Sequence, residues 1–498
     1  MANVVVNRPL SVVEGLDASA ALSLTFQNVS TLSTQITVSF DAAGSTVTNG
    51  TDVSVGSFSG SISRSQSPAG NYTYDLPSIS IFDDLVAEGT ETISIRIRAT
   101  GQVFDNGTDT TIVTISLLDN EIDGTNGNDV LTGYRSADTL RGFDGDDVLT
   151  GGLGNDRIDG GAGFDTAVFS QTLAGSQVSY GQRALMITGA DGTDTLTGIE
   201  VLKFSDGQVV LGGNALVDAL FYNQKNADVY ATGMQASAHY TIYGTHEGRD
   251  PNAFFSVRGY QAANRDVVDA YYEPLAHYQR FGWHEGRDPS AAFDTTLYLL
   301  NNKDVADAGI NPLEHYLNFG RYEGRAVYAA VGKTIMANGF DREYYLLANP
   351  DVAAAGTDAW RHYQLYGAKE GRDPNAWFDT SAYLDTNKDV AAAGLNPLDH
   401  YHDYGWREGR DPSAAFDTRK YLAANPDIAG SGLDPFVHFL QYGIYEGRSP
   451  QGDGNLSGPR AIADAFNYAD AGADAVPDIA FARVDWGHNV EHGIQMIA

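Results

Sequence analysis

Between Gly124 and Val168 an aspartate recurs every nine residues, at Asp129, Asp138, Asp147, Asp156 and Asp165. The nonapeptides read GTNGNDVLT, GYRSADTLR, GFDGDDVLT, GGLGNDRID and GGAGFDTAV; they follow the pattern G-G-x-G-x-D-x-U-x, with U apolar. Glycine lets the chain turn twice per coil at dihedrals a Cβ would forbid. The x-U-x triplet predicts a short strand whose apolar residue (Leu131, Leu140, Leu149, Ile158) points inward. Each aspartate closes a turn and offers a carboxylate, while turn carbonyls complete the hard oxygen shell that Ca²⁺ requires. A flexible Gly/Asp-rich linker would not keep an apolar residue two places after each aspartate. The expected calcium ligands are the five aspartates with Gly124, Asn126, Gly142, Asp144, Gly151, Gly160 and Gly161 of the turns. Sites between coils stacked two apart imply on the order of three ions.

The segment resembles the RTX β-roll of proteins exported by bacterial type I secretion. GYRSADTLR lacks the turn glycine before its aspartate, which makes Asp138 the least secure ligand. Downstream, DGTDTLTGIEVLKFSDG from Asp191 resembles the flank of such rolls and predicts two strands and turns over the open end of the coil. The chain carries 64 acidic and 31 basic residues, a net charge of −33. That balance argues against nucleic acid, which needs a basic footprint. Without cations it also makes the compact state repel itself. Cysteine is absent, so neither a disulfide nor a zinc thiolate is available. MANVVVNRPLSVVEG has no basic n-region or long apolar run, and no stretch approaches the roughly 18 apolar residues of a spanning helix. With the RTX resemblance, this implies type I export to an extracellular location.

Residues 1–121 alternate as strands in SLTFQ, TQITVSF, YTYDLPSISIF, ETISIRIRA and TTIVTISLL, the pattern of a β-sandwich. SVVEG, TNGTDV, ISIFDDLVAEGTETISIRI and TISLLDNE resemble the Calx-β domain. In that family, acidic residues gather calcium at one end of the sandwich. Carried over, the resemblance implies Glu14, Asp52, Asp83, Asp84, Glu88 and Asp119.

From about residue 215 a 38-residue unit appears six times. His239, His277, His315, His362, His400 and His438 mark it, with a nine-residue insertion within Ala326 to Gly339. A clear copy, Phe378 to Ser413, predicts three short helices. Asp379 or Thr380 caps the first, Gly394 stops the second, and Asn396-Pro397 opens a third that ends at Gly405. Packing copy on copy would give an α-solenoid. The pattern resembles repeats attached to secreted RTX-type proteins. One histidine per copy at a fixed position reads as a hydrogen-bonded core or cap residue. Glu-Gly-Arg reads as a tie between neighbouring copies. Repeated Tyr, Trp and His also offer a ladder on which sugar rings could stack.

No catalytic motif survives inspection. HNVEH at His488 matches H-x-x-E-H but leaves no room for a third zinc ligand. Gly332-Lys333-Thr334 lacks the glycine of a phosphate loop, since Val327 stands five places before it. Four regions are expected: a β-sandwich (1–121), a calcium β-roll with flanking strands (122–212), six helical units (213–450), and a C-terminal secretion signal or cap (451–498). This mixed architecture implies a calcium-dependent extracellular structural protein, a bacterial S-layer or surface scaffold subunit that self-associates. The alternative is an adhesin or matrix protein that holds polysaccharide.

Overall fold

Leu24, Phe26, Ile36 and Val38 alternate with polar residues, as do Ile93, Ile95, Ile97 and Ala99. A period of two puts each set on one face of a strand, and these eight side chains form the core of the N-terminal region with Val113 and Ile115. In the computed structural model, Ser23–Phe40 pairs antiparallel with Glu91–Ala99 and along its length with Phe58–Asp75. The seven-stranded sheet runs Ser11–Val13, Thr110–Leu118, Glu91–Ala99, Ser23–Phe40, Asn3–Asn7, Val103–Phe104, with Phe58–Asp75 beside Ser23–Phe40. A second sheet holds Ser19–Ala20, Ile79–Ile81 and Val53–Ser54. The described residues are 3–8, 11–13, 19–20, 22–42, 45, 53–54, 58–76, 79–81, 91–100, 102–104, 106–118, 120–135, 137–181 and 183–454. Glu14, Asp52, Asp83, Asp84, Glu88 and Asp119 lie outside them, as do 455–498 with His488 and His492.

The nonapeptides form a ladder of three-residue strands in two parallel sheets. One stacks Glu121–Asp123, Thr139–Arg141 and Arg157–Asp159; the other stacks Val130–Thr132, Val148–Thr150 and Thr166–Val168. Partners are two repeats apart, so alternate repeats feed alternate sheets. Leu140, Leu149, Ile158 and Ala167 point inward and are fully buried, while Leu131 in the first repeat is half-buried. The flank extends both sheets: Thr193–Thr197 pairs parallel with Arg157–Asp159, and Val201–Phe204 with Thr166–Val168. Antiparallel strands Gln177–Gly181, Ala184–Thr188 and Gly207–Val210 complete them.

The chain divides into two compact units, Met1–Ile242 with Tyr316–Arg325, and Tyr243–His315 with Ala326–Ala498. The division falls within helical copies. Segment Tyr316–Arg325 belongs to the first unit because its Tyr322 carbonyl accepts the Arg183 N–H at 3.1 Å, and Arg321 pairs with Asp218 at 2.5 Å.

Each copy carries the same short helices. In the copy from Phe378, Asp379 caps Thr380–Thr386 through Ala382 N–H, and Lys388–Ala393 ends at the left-handed Gly394. Asn396 caps Pro397–His400 through two N–H groups. The third helix does not end at Gly405. It continues through a π-helical turn, Tyr401–Gly405, into Trp406–Glu408 and stops at the left-handed Gly409. Gly405 itself is right-handed helical, and a Cβ there would lie 2.6 Å from the Tyr383 hydroxyl. Its glycine serves close approach, not termination.

Within the second unit the packing departs from a nearest-neighbour solenoid. The start of each copy is tied to its own end where Asp341, Asp379 and Asp417 N–H groups donate to Pro374, Pro412 and Pro450 carbonyls at 3.0–3.1 Å. However, helix Val257–Ala263 also packs on Arg342–Ala348, two copies on. The inserted segment reaches the sixth copy: Tyr445 Oη donates to Val331 O and Gln441 Nε2 to Ile335 O. The insertion thus gives distant copies a shared surface. Glu-Gly-Arg also behaves differently from expectation. Arg287, Arg410 and Arg448 each pair with the preceding glutamate and with the Asn-x-Asp of their own copy, such as Asn387 and Asp389 for Arg410. The motif closes a copy on itself. The next copy is reached by the aspartate that follows, since Asp288, Asp373 and Asp411 accept the N–H of Thr295, Thr380 and Thr418 at 2.8 Å.

Candidate calcium-binding site

The turn glycines bring successive coils close enough for each aspartate to be shared between them. Oδ1 of Asp147 accepts the Asp129 N–H at 2.8 Å, Asp156 that of Asp138 at 2.9 Å, and Asp165 that of Asp147 at 2.9 Å. One oxygen of each carboxylate is thereby spent on the coil two repeats earlier. The other oxygen turns toward the start of its own repeat. Oδ2 of Asp129 accepts the Thr125 N–H, and Oδ2 of Asp138 the Tyr134 N–H, both at 2.5 Å. Among the described residues, Oδ2 of Asp147, Asp156 and Asp165 is buried without a hydrogen-bond partner. Leaving a buried carboxylate oxygen unpaired costs about 1–3 kcal/mol or more.

Carbonyls converge on the same places. A Cβ on Gly142 would meet both Asp147 Oδ2 and Gly160 O; on Gly160, Asp165 Oδ2 and Gly198 O; on Gly124, Asp129 Oδ2 and Gly142 O. The lone oxygens of Asp147 and Asp165 therefore each face a carbonyl oxygen of a later coil across a space only glycine leaves open. This is the donor set a hard divalent cation takes. Among the described residues no three Asp, Glu or His side chains gather as a metal cluster, so the carbonyls must supply much of the coordination. Gly124, Gly142, Gly151 and Gly160 frame these cradles, and Gly161 holds the following turn at φ 92°. Asn126 and Asp144 are exposed, and Asp144 bridges Ala162 in parallel. Asp138 is as deeply buried as Asp147 and Asp156, so the irregular second repeat keeps its place.

Two ladder members were missed. Asp194 Oδ1 accepts the Asp156 N–H at 3.0 Å, and Glu200 Oε2 the Asp165 N–H at 2.9 Å. They lie beyond the nonapeptides, so the nine-residue period holds no signal for them; their place in the flank was the available clue. Burial, with repulsion from Asp138 and Asp191, pushes the Asp156 carboxyl up to about 6. Burial, with Asp156 and Asp191 adding repulsion, pushes Asp194 up to about 7. Asp165 is raised by burial, and Asp147 and Glu200 add to it. A cation among these groups relieves what raises them.

The histidines of the helical copies have another role. In every copy the histidine Nδ1 lies 2.9–3.0 Å from a tyrosine hydroxyl: Tyr222–His239, Tyr260–His277, Tyr298–His315, Tyr345–His362, Tyr383–His400 and Tyr421–His438. All six tyrosines are buried, so they offer no ladder to sugar rings. The ring four residues after each histidine does reach solvent. Tyr243, Phe281, Phe319, Tyr366, Tyr404 and Tyr442 are 45–60 % exposed.

Residues 117–143, 123–158 and 136–167 match the RTX calcium-binding nonapeptide repeat, as four copies. The repeats are calcium-binding. No curated protein matches the chain. Among solved structures, the extracellular lipase LipA from Serratia marcescens aligns at 24% identity over 20% of this chain and 19% of the lipase, with a TM-score of 0.16. CBD12 from CALX1.2 aligns at 18% identity over 26% of this chain and 50% of that one, with a TM-score of 0.18. The chain thus spans about a fifth of the one and half of the other. Among the described residues no helix is long and apolar enough to cross a membrane.

Proposed function

We propose that this chain is a calcium-dependent extracellular structural protein, a bacterial S-layer or surface scaffold subunit exported by type I secretion, and we assign it no catalytic reaction. The observation that carries the reading is the row of buried, unpartnered carboxylate oxygens on Asp147, Asp156 and Asp165. Such a row makes the roll an unfavourable fold until a cation enters, and Ca²⁺ is scarce in the cytosol and plentiful outside. Folding then waits for export, because ion binding and folding share one free energy. Acidic surfaces of separate subunits are bridged by further ions. Electron microscopy of the purified chain in millimolar Ca²⁺, and again in chelator, tests this. Ordered sheets that dissolve in chelator support a lattice; monodisperse monomers at all calcium levels refute it.

A second reading rests on the exposed ring that each helical copy repeats. A ring kept at one register in six copies, half in solvent, suits stacking on the apolar faces of a repeating polysaccharide. In this reading the chain is an adhesin or matrix protein. Retention on immobilised polysaccharide, lost on replacing Tyr366, Tyr404 and Tyr442 with alanine, is its expected outcome.

A further inference from the structure

Six residues before each repeat histidine, a copy's second helix gives way to a residue in the left-handed conformation. Gly233, Gly309, Gly356, Gly394 and Gly432 hold that place in five copies, at φ 63–76°. In the second copy it is Tyr271, at φ 56°. The turn itself is unchanged. The Tyr271 N–H donates to Val268 O at 3.0 Å, as the Gly309 and Gly394 N–H groups donate to Ala306 O and Ala391 O at 3.1 Å. A left-handed backbone is unfavourable for a residue with a Cβ, so the tyrosine is strained where glycine is not. Packing recovers little of that strain. A Cβ on any of the five glycines would find nothing within 4 Å, and Tyr271 is 67 % exposed, more than any other large apolar side chain described in the helical copies. Aromatic surface is concentrated at this place. Tyr272 stands where the other copies have Met234, Ile310, Thr357, Leu395 and Leu433, and its ring meets Phe281 edge-on at 5.7 Å. No other copy has rings at all three positions. The neighbouring carboxylates are engaged: Asp266 pairs with Arg287, Asp269 with Arg265, and Glu273 accepts the Leu275 and Ala276 N–H groups and the Thr245 hydroxyl.

We propose that the second copy carries the principal saccharide site of the helical array, where the exposed ring of Tyr271 stacks on a neutral sugar ring. A strained residue at the surface, with little packing to hold it there, is kept for what it meets outside the fold. The ligand presents apolar ring faces, because the surface on offer is aromatic, and hydroxyls, because tyrosine brings one to bond them. It is neutral on two counts. The three engaged carboxylates leave none free to hold a cation. Between Arg265 and Glu273 three acidic residues stand against one basic, in a chain of net charge −33, so an anion is repelled. It is a repeating polymer, because the exposed ring four places after each histidine recurs from copy to copy. The inference rests on the saccharide reading above and deepens it: that reading treats the six copies alike, whereas here one copy dominates.

The test titrates the full chain in millimolar Ca²⁺ with cellohexaose, chitohexaose and maltohexaose, with hexagalacturonate and with choline, read by calorimetry, and takes thermal midpoints of the same proteins. One neutral hexasaccharide is expected to saturate, and hexagalacturonate and choline to bind more weakly. Tyr271→Gly restores the residue that the other copies carry. It is expected to weaken the hexasaccharide by about tenfold while raising the thermal midpoint by about 2 °C, two effects of opposite sign that a merely structural tyrosine would not give. Tyr271→Phe keeps the ring and should bind within about twofold of the natural chain. Saturation by none of the neutral hexasaccharides, tighter binding of hexagalacturonate or choline, unchanged affinity in Tyr271→Gly, or a midpoint lowered by that variant overturns the site. Polymer retention that is lost on replacing Tyr366, Tyr404 and Tyr442 but unchanged in Tyr271→Gly removes this site alone and leaves the saccharide reading standing.

Discussion

The Asp156 N–H donates to Oδ1 of Asp194, 38 residues downstream, where the equivalent bond inside the repeats spans 18. Asp194 therefore occupies the place of a sixth nonapeptide aspartate, and the extra residues leave as the hairpin Gln177–Gly181 and Ala184–Thr188. Glu200 takes the next place for Asp165 across 35 residues. Asp194→Asn is expected to lower calcium affinity by about tenfold, about 1.4 kcal/mol, in a calcium titration followed by far-ultraviolet circular dichroism. Asp206→Asn is the control, because Asp206 accepts the Leu173 N–H away from the ladder. Equal midpoints for the two variants would remove Asp194 from the site.

Phe143 stands where the fourth and fifth repeats have Gly152 and Gly161, and its backbone is strained there. Its φ is 73° and its side chain is 43 % exposed. A non-glycine residue in the left-handed region costs roughly 1–2 kcal/mol. Phe143→Gly is therefore expected to raise the thermal midpoint of the roll in saturating Ca²⁺ by a gain of about 1 kcal/mol. A lower midpoint would mean that the ring packs better than its exposure suggests.

Asp129 to Asp165 were legible because coil geometry imposes its period directly on the sequence: a nine-residue repeat cannot close a coil without a turn glycine and an inward apolar residue. Asp194 and Glu200 were not, because they reach the ladder through sheet pairing, which leaves no fixed spacing. The helices of each copy were legible from Asp379, Gly394 and Asn396-Pro397, whose capping is local. The end of the third was misread because Gly405 has two possible uses, a left-handed stop or room for a neighbour, and only the Tyr383 hydroxyl distinguishes them. The destinations of Arg287 and Arg410 were hidden for the same reason. A guanidinium twenty-odd residues from Asn-x-Asp pairs within its copy only once the helices have folded.

Gly405 and the Tyr383–His400 bond are expected to be energetically coupled. Tyr383→Phe leaves His400 Nδ1 without its partner at 3.0 Å and should cost about 1–3 kcal/mol. Gly405→Ala places a methyl 2.6 Å from the Tyr383 hydroxyl and should cost a similar amount through overpacking, about 1–3 kcal/mol. In the double variant the hydroxyl that the methyl would strike is gone. The combined loss should fall short of the sum by at least about 0.5 kcal/mol, measured by urea unfolding in millimolar Ca²⁺. Strict additivity would show that the glycine answers to something else.

The second unit is expected to lose stability as the solution becomes alkaline. Asp341 and Asp294 are each about 1 % exposed, and they pin the inserted segment by accepting the Gly332 N–H at 2.7 Å and the Val331 N–H at 3.0 Å. Burial pushes the Asp341 carboxyl up to about 7, with Glu343 adding repulsion against the backbone N–H groups. Burial also raises Asp294. A carboxyl whose folded value lies above its unfolded value of about 3.9 binds more protons when folded. Its contribution is fully present below about pH 4 and is lost as the pH rises through about 7. Thermal midpoints at fixed saturating Ca²⁺ should therefore fall between pH 5.5 and 8, by the equivalent of about 1–3 kcal/mol. Tryptophan fluorescence reports on this unit, since Trp283, Trp360, Trp377 and Trp406 all lie in it, and Trp486→Phe removes the fifth tryptophan, which lies outside the described residues. In Asp341→Asn the slope should flatten without vanishing, because Asp288, Asp294 and Glu343 are also raised by burial. An unchanged slope in that variant would mean that Asp341 is ionised in the folded protein, and that the Gly332 and Tyr344 N–H groups donating to it outweigh its burial.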